Sequence, residues 1–346
     1  MDDCFWFWKK LKRMARQRWR GGLVDAHNHP FTEGTSSEEQ YYKTAFLPLE
    51  AGSLDKADKW KEVDRLRPEL LKTFRERLDS AIRRRMKQGI KAGRSYVDLV
   101  PVIGLEAVEI AVAAKKFWAG AGYNLQIAVY PMEGIDTEEK RVLLEGACRI
   151  PEVEAIGCTP SRGRSGVSDT YTSAQHIDYY AGIAHLYGKI LDAQLDQANH
   201  PEERETELFA RAIKAHRSRG YDRPAGATHC VSMSCREDSN LVLSVLQTMR
   251  ECGISMIVCP RAFLHSRTKR EVRTFAHNSI APWDLAVKMG VNVALGMDNV
   301  SDIYMPHSDG DIWYETDTLI NSVRYDGDLK SIADILTING QKALFG

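Results

Sequence analysis

The chain has 346 residues with 47 basic and 47 acidic side chains, a formal net charge of zero, so no global field draws it to nucleic acid or to acidic partners. Its hydrophobic fraction of 43% is ordinary for a soluble globular chain, and no apolar run approaches the length of a bilayer span. Such a length can bury a large core, as one α/β barrel or as two smaller domains.

Residues 1–21 form a basic-aromatic unit. Phe5, Trp6, Phe7 and Trp8 precede Lys9, Lys10, Lys12, Arg13, Arg16, Arg18 and Arg20. The apolar run is too short, and the charges lie on the wrong side, for a secretory signal. Leu11, Met14 and Trp19 extend an apolar stripe, which predicts an amphipathic helix. A membrane surface or a partner could receive it; the expected arrangement is a helix capping one end of the fold with its aromatic face.

Gly22-Leu23-Val24 then leads into Asp25-Ala26-His27-Asn28-His29. Side chains alternate along a strand, so His27 and His29 share a face within reach of one ion. Two neutral imidazoles there make half of a zinc or iron site. Alone, the His-x-His pattern fits core or surface histidines equally well. Phe31 to Trp60 is polar and long, and reads as a lid loop at a strand end. Arg65 to Lys91 reads as helix, with Leu70, Phe74, Leu78 and Ile82 at i+4 spacing.

Seven further strands are predicted at 95–100, 125–130, 153–158, 190–195, 225–230, 255–259 and 292–295. Helical patterns lie between them at 107–118, 138–148, 175–187, 203–217, 239–251 and 281–289. Eight strands alternating with helices specify parallel pairing with right-handed crossovers and favour a (β/α)8 TIM barrel over residues 22–346. A doubly wound open sheet is the competitor, but neither a G-x-G-x-x-G after the first strand nor a P-loop is present. Only helix-like sequence follows strand eight, so a flanking β-sandwich is not expected.

Polar residues recur at the predicted strand ends, where a barrel of this kind carries its chemistry. They are His27 and His29, Asp98, then Gln194, Asp196 and Gln197, then Thr228-His229-Cys230, then Arg261 and His265, then Asp298-Asn299. Seven cysteines, Cys4, Cys148, Cys158, Cys230, Cys235, Cys252 and Cys259, are odd in number and lack a C-x-x-C pair. They read as buried free thiols in a reducing compartment, with the cytoplasm expected.

These segments together resemble the amidohydrolase superfamily, within it the cytosine deaminase branch of metal-dependent hydrolases. Asp25–His29 matches the family's His-x-His ligand strand, and Thr228-His229-Cys230 its sixth-strand histidine. Cys259-Pro260 through His265 matches the loop after strand seven. Gly296-Met297-Asp298-Asn299-Val300 matches the final strand with its metal-bound aspartate. Tyr130-Pro131-Met132-Glu133-Gly134-Ile135 is similar to the third-strand segment that carries a substrate-binding Gln, a position held here by Met132. The resemblance implies one divalent metal, Zn²⁺ or Fe²⁺ with Mn²⁺ a further candidate. His27, His29 and Gln194 would hold it, with Asp298 opposite as proton shuttle and His229 polarising the substrate or ligating. His265, Met132, Gln197, Asp98 and Arg261 are the candidate substrate contacts, although a buried anchor at the rim is the expected role of Asp98.

Strand five departs from the family pattern. Where the family has His-x-x-Glu, this chain has Gln194-Leu195-Asp196-Gln197. An amide oxygen is a weaker ligand than imidazole, and Gln197 cannot exchange a proton at neutral pH. His200, Glu202 and Glu205 follow closely. For Glu202 and Glu205 the reading is surface capping of the next helix, with Asn199 as the cap, Pro201 early and Glu202–Glu203 at its positive end. Strand four ends at Cys158-Thr159-Pro160 without the Lys that bridges two metals in binuclear members. The resemblance therefore implies hydrolysis of a C–N bond in an amide, cyclic amide or aminated heterocycle, in a homo-oligomer that binds small molecules. The alternatives are a true deaminase with a substituted acid, and a catalytically inactive barrel that binds a ligand or partner.

Overall fold

The computed structural model describes residues 6–18, 21–35, 56–161, 171–264 and 280–346. Eight strands, β1 (Leu23–Asn28), β2 (Ile90–Asp98), β3 (Asn124–Tyr130), β4 (Val153–Cys158), β5 (Ile190–Leu195), β6 (Ala225–His229), β7 (Ile254–Val258) and β8 (Val293–Leu295), alternate with helices. All neighbours pair in parallel, in chain order. A parallel bridge between Asn28 and Asp298 closes the seam between the first strand and the residues just past the last. This is the expected (β/α)8 barrel. Among the described residues every strand belongs to this one sheet, and no helix is long and apolar enough to cross a membrane.

Most boundaries agree with the hydrophobic pattern; the stretch before β2 does not. The helix expected over 65–91 is two helices, α2 (Lys56–Lys72) and α3 (Phe74–Lys87). So the polar stretch read as reaching Trp60 has already become helical by Lys56. Gly89, at φ +88°, turns the chain after α3, a conformation glycine adopts without steric cost. β2 then begins five residues earlier than the pattern suggested. Arg94 misled the reading. A charge that suggests the surface is fully buried here, donating to Gln126 Oε1 at 2.6 Å, Asp192 Oδ2 at 2.6 Å and the Ala343 carbonyl at 2.7 Å.

That arginine organises a polar layer inside the barrel. Asp192 Oδ1 accepts from Thr228 Oγ1 at 2.6 Å, and the Asp192 carbonyl accepts from the Tyr96 hydroxyl at 2.8 Å. Gln126 Nε2 donates to the Leu344 carbonyl at 2.6 Å. Buried charges persist only when paired and fully hydrogen-bonded, and here they are. A small cluster of Val24, Ala26, Ala92, Ile257, Ala294, Ala343 and Leu344 ties the strands on both sides of the seam to the helix Ile338–Phe345.

The N-terminal helix α1 (Trp6–Arg18) lies along the helix Leu329–Ile335. Leu11 and Ala15 are buried, Phe7, Trp8 and Met14 are half-buried against the core, and Trp6 is exposed. The Arg18 guanidinium donates to Asp334 at 2.5 and 2.9 Å. The apolar stripe thus packs on the outer helices, with an aliphatic rather than aromatic centre. Cys4, Trp19 and Arg20 lie outside the described residues.

Candidate metal centre

β1 builds the first half of the site. The β1–β2 register shifts between Asp25 and Asn28, so Val24 and Ala26 join the lower apolar cluster while His27 and His29 both turn onto the Tyr96 ring. The two imidazole centroids are 4.9 Å apart, and 4.4 and 5.1 Å from Tyr96. Asp25 fixes this strand end from behind. Its carboxylate accepts from the Met297 N–H at 3.0 Å, Asn28 Nδ2 at 2.8 Å and Arg85 Nε at 2.8 Å. Arg85 also pairs with Glu33 at 2.9 Å, tying down the residues after His29.

The second half comes from the far side of the seam. Asp298 N donates to the His27 carbonyl at 2.9 Å, and Asp298 itself adopts φ +58°. Its side chain is thereby aimed at the histidines. Oδ1 lies 3.6 Å from His27 Nε2 and 3.4 Å from His29 Nε2, while Oδ2 lies 3.9 Å from His229 Nε2. His229 ends β6 at φ +76°. Gln194, on β5, spans the remaining gap, 3.4 Å from His29 Nε2 and 3.3 Å from His229 Nε2. Its amide can present the oxygen to either side, since the two ends differ only in hydrogen-bond assignment. Tyr130, hydrogen-bonded to Thr159 at 2.6 Å, completes an aromatic wall with Tyr96 beside His29.

Burial alone would raise the Asp298 carboxyl, but the imidazoles of His27, His229 and His29 outweigh it and hold the group well below the usual carboxylate range. Both ring nitrogens of His27 are buried with no hydrogen-bond partner among the described residues. Imidazole nitrogens without a hydrogen-bond partner, facing an ionised carboxylate, suit a divalent cation. The His27, His29 and Asp298 donor atoms all lie within 4.8 Å of one another, so the residues fit a metal.

The other described candidates have partners of their own. Asp98 pairs with the buried Arg67, which also bonds Asp64 at 2.6 Å and touches Met132 Sδ at 2.9 Å. Both Asp98 and Met132 are thus gathered around one guanidinium. Arg261 turns to Asp309 at 2.8 Å and stacks 4.1 Å over Tyr314. Gln197 is half-buried in the turn after β5. His265 lies outside the described residues.

One expectation is reversed. Glu205 is buried, and the helix Glu205–Arg217 is capped at Arg204 rather than Asn199. Glu205 Oε2 accepts from Asp196 N at 3.0 Å while its own N–H donates to Asp196 Oδ1 at 2.8 Å. Burial, with Glu203 and Asp196 nearby, pushes its carboxyl up to about 8. The residues that sequence reasoning missed are Tyr96 and the Arg94–Asp192 pair. Periodicity gave no sign of them; the available signal was Asp192, within a predicted strand and flanked by Leu191 and Ala193.

No family model matches the chain. A Haemophilus influenzae protein described as uncharacterized is 25% identical over 267 residues, 77% of this chain and 90% of that protein. Among solved structures, 5-methylcytosine deaminase from Klebsiella pneumoniae, liganded with 5-fluorocytosine, superposes with a TM-score of 0.77 at 22% identity, covering 93% of this chain and 74% of that one. The two chains share the (β/α)8 barrel fold. N-isopropylammelide isopropylaminohydrolase from Burkholderia multivorans shares this barrel fold with a TM-score of 0.69 at 17% identity, over 93% and 74% of the two chains. Atrazine chlorohydrolase from Arthrobacter aurescens, complexed with zinc, does so with a TM-score of 0.59 at 13% identity, over 93% and 70%.

Proposed function

We propose that this protein is a metal-dependent hydrolase that cleaves a C–N bond in an amide, cyclic amide or aminated heterocycle. The observation that carries the reading is the convergence of His27, His29 and His229 on one ionised carboxylate, with the His27 nitrogens otherwise unpartnered. The likeness to deaminases and aminohydrolases of the same fold supports it. His27 and His29 would hold the ion with Asp298, and Gln194 would add an amide oxygen. A bound divalent ion lowers the pKa of water from about 15.7 to near 7, supplying a nucleophile at neutral pH.

The chain's own groups do the rest. Asp298 accepts the proton of the attacking water and delivers it to the leaving nitrogen. His229 either polarises the substrate carbonyl or amidine, favouring charge that develops there, or serves as a further metal ligand. Tyr96 and Tyr130 hold an aromatic face beside His29, suited to a flat ring or amide. Gln197 cannot protonate a ring nitrogen, so the reading favours amides and lactams, whose hydrolysis needs one shuttle, over cytosine itself.

Metal analysis of purified protein followed by a screen of amides, lactams and aminated heterocycles for ammonia or acid release tests the proposal. About one or more equivalents of Zn, Fe or Mn is expected, with turnover abolished in Asp298→Asn. Less than about a tenth of an equivalent, unrecoverable on reconstitution, refutes it. The two glutamines on β5 favour a second reading, a ligand-binding barrel without turnover, which metal-loaded protein inactive across the whole screen would support.

A further inference from the structure

The carboxylate of Asp298 has two sides, and only one faces His27 and His29. Oδ2 faces His229, and the thiol of Cys259, just past β7, also lies close to this carboxylate. The His229, Cys259 and Asp298 donor atoms all lie within 4.8 Å of one another, as do those of His27, His29 and Asp298. All of these residues are buried. Two donor triads therefore share one carboxylate, each taking a different oxygen for its nearest histidine contact.

Gly296 makes this approach possible. A Cβ added there would lie 2.9 Å from Cys259 Sγ and 2.7 Å from His27 Cβ, closer than real side chains pack. The absent side chain leaves room for the Cys259 sulfur and for His27 beside the chain leading to Asp298. Cys230, the other thiol near His229 in sequence, is occupied differently: its Sγ donates to the Ala227 carbonyl at 3.5 Å.

We propose that His229, Cys259 and Asp298 form a second, sulfur-containing metal position that shares the Asp298 carboxylate with the His27–His29 position. Imidazole, thiolate and carboxylate together form a donor set that suits Zn²⁺ and other borderline ions, and a carboxylate bridging two ions about 3.5–4 Å apart is a recurring arrangement. Binding replaces the thiol proton: the S–H bond breaks, the sulfur lone pair joins the cation, and the proton leaves to solvent. The inference rests on the metal-binding reading above and adds a ligand that the resemblance does not supply.

Cobalt(II) is the probe. Full-length protein dialysed against saturating Co²⁺ is expected to bind two equivalents and to show near-ultraviolet sulfur-to-cobalt charge-transfer absorption. Cys259→Ser is expected to bind one equivalent and lose that band while keeping the visible cobalt bands of the remaining position. Circular dichroism establishes that the variant is folded. Should it not fold, X-ray absorption of the zinc-loaded wild-type protein decides, with a sulfur scatterer expected at about 2.3 Å. One equivalent in the wild type, two without sulfur ligation, or a band that survives in Cys259→Ser overturns the second position. Binding of no metal at all overturns the hydrolase reading with it.

Discussion

Replacing Gly296 with alanine separates steric demand at the seam from ordinary backbone preference. Gly296 does not need a positive φ, so any penalty must come from the added methyl group. The new Cβ would stand 2.7 Å from His27 Cβ, 3.0 Å from His27 N and 2.9 Å from Cys259 Sγ. Two of these three atoms belong to a strand end and cannot rotate away, so the seam must open by roughly half an ångström or more. Overpacking of this kind costs about 1–3 kcal/mol, offset by the roughly 0.5–1 kcal/mol that alanine gains over glycine in regular structure. A net loss of about 1–2 kcal/mol is expected, read as a lower midpoint in urea. Displacement of His27 should also weaken zinc affinity at least tenfold. Gly182, in the helix Ser173–Tyr187, has nothing within 4 Å of its own added Cβ, and its alanine variant should gain about 0.5–1 kcal/mol. If Gly296→Ala instead unfolds at or above the wild-type midpoint with unchanged zinc affinity, the close approach is not a constraint and the reasoning fails.

Arg94→Met should cost about 3–5 kcal/mol in thermal or urea unfolding because it leaves Asp192 buried and unpaired; adding Asp192→Asn should recover part of the loss, and a single-variant loss under about 1 kcal/mol would contradict the pairing. Glu205 keeps its proton in the folded state up to about pH 8, whereas its ordinary value is 4.5. Between those limits the folded state binds more protons than the unfolded one, so this group makes stability fall as pH rises from about 5 to 8. Glu205→Gln should flatten that dependence and raise the denaturation midpoint at pH 8.5, and an unchanged profile would remove Glu205 as its source. Gln194→His places a third imidazole between His29 and His229 and should tighten zinc binding by tenfold or more in competition dialysis; unchanged affinity would mean that the β5 residue does not reach the ion.

The barrel was legible because its helices and outer strand faces obey simple periodicity. The bounds of β4 and β5 agree with the hydrophobic runs residue for residue. His27, His29, His229 and Asp298 were legible as strand-end residues in a recognisable order, and they do meet. What sequence could not carry was the barrel interior, where hydrophobicity is no guide. Arg94 and Asp192 look like surface residues until each is seen to neutralise the other. Glu205 likewise reads as a solvated helix cap, yet it is held in the interior by a reciprocal bond with Asp196. Glycines such as Gly296 are silent in any pattern of this kind, because their function lies in atoms they lack.

The seam between the first and last strands has a consequence for how the molecule is made. The Met297 N–H reaches the Asp25 carboxylate across 272 positions of sequence, and the histidines and Asp298 lie on opposite sides of the same join. Until β8 emerges from the ribosome, the growing chain has two open strand edges, each a template for unwanted pairing, and only part of its cluster of histidines and carboxylate. Contacts of such long range form late and slowly. A cation trapped across the join would then act as a clasp on a finished barrel, holding together the ends of a loop that spans most of the polypeptide.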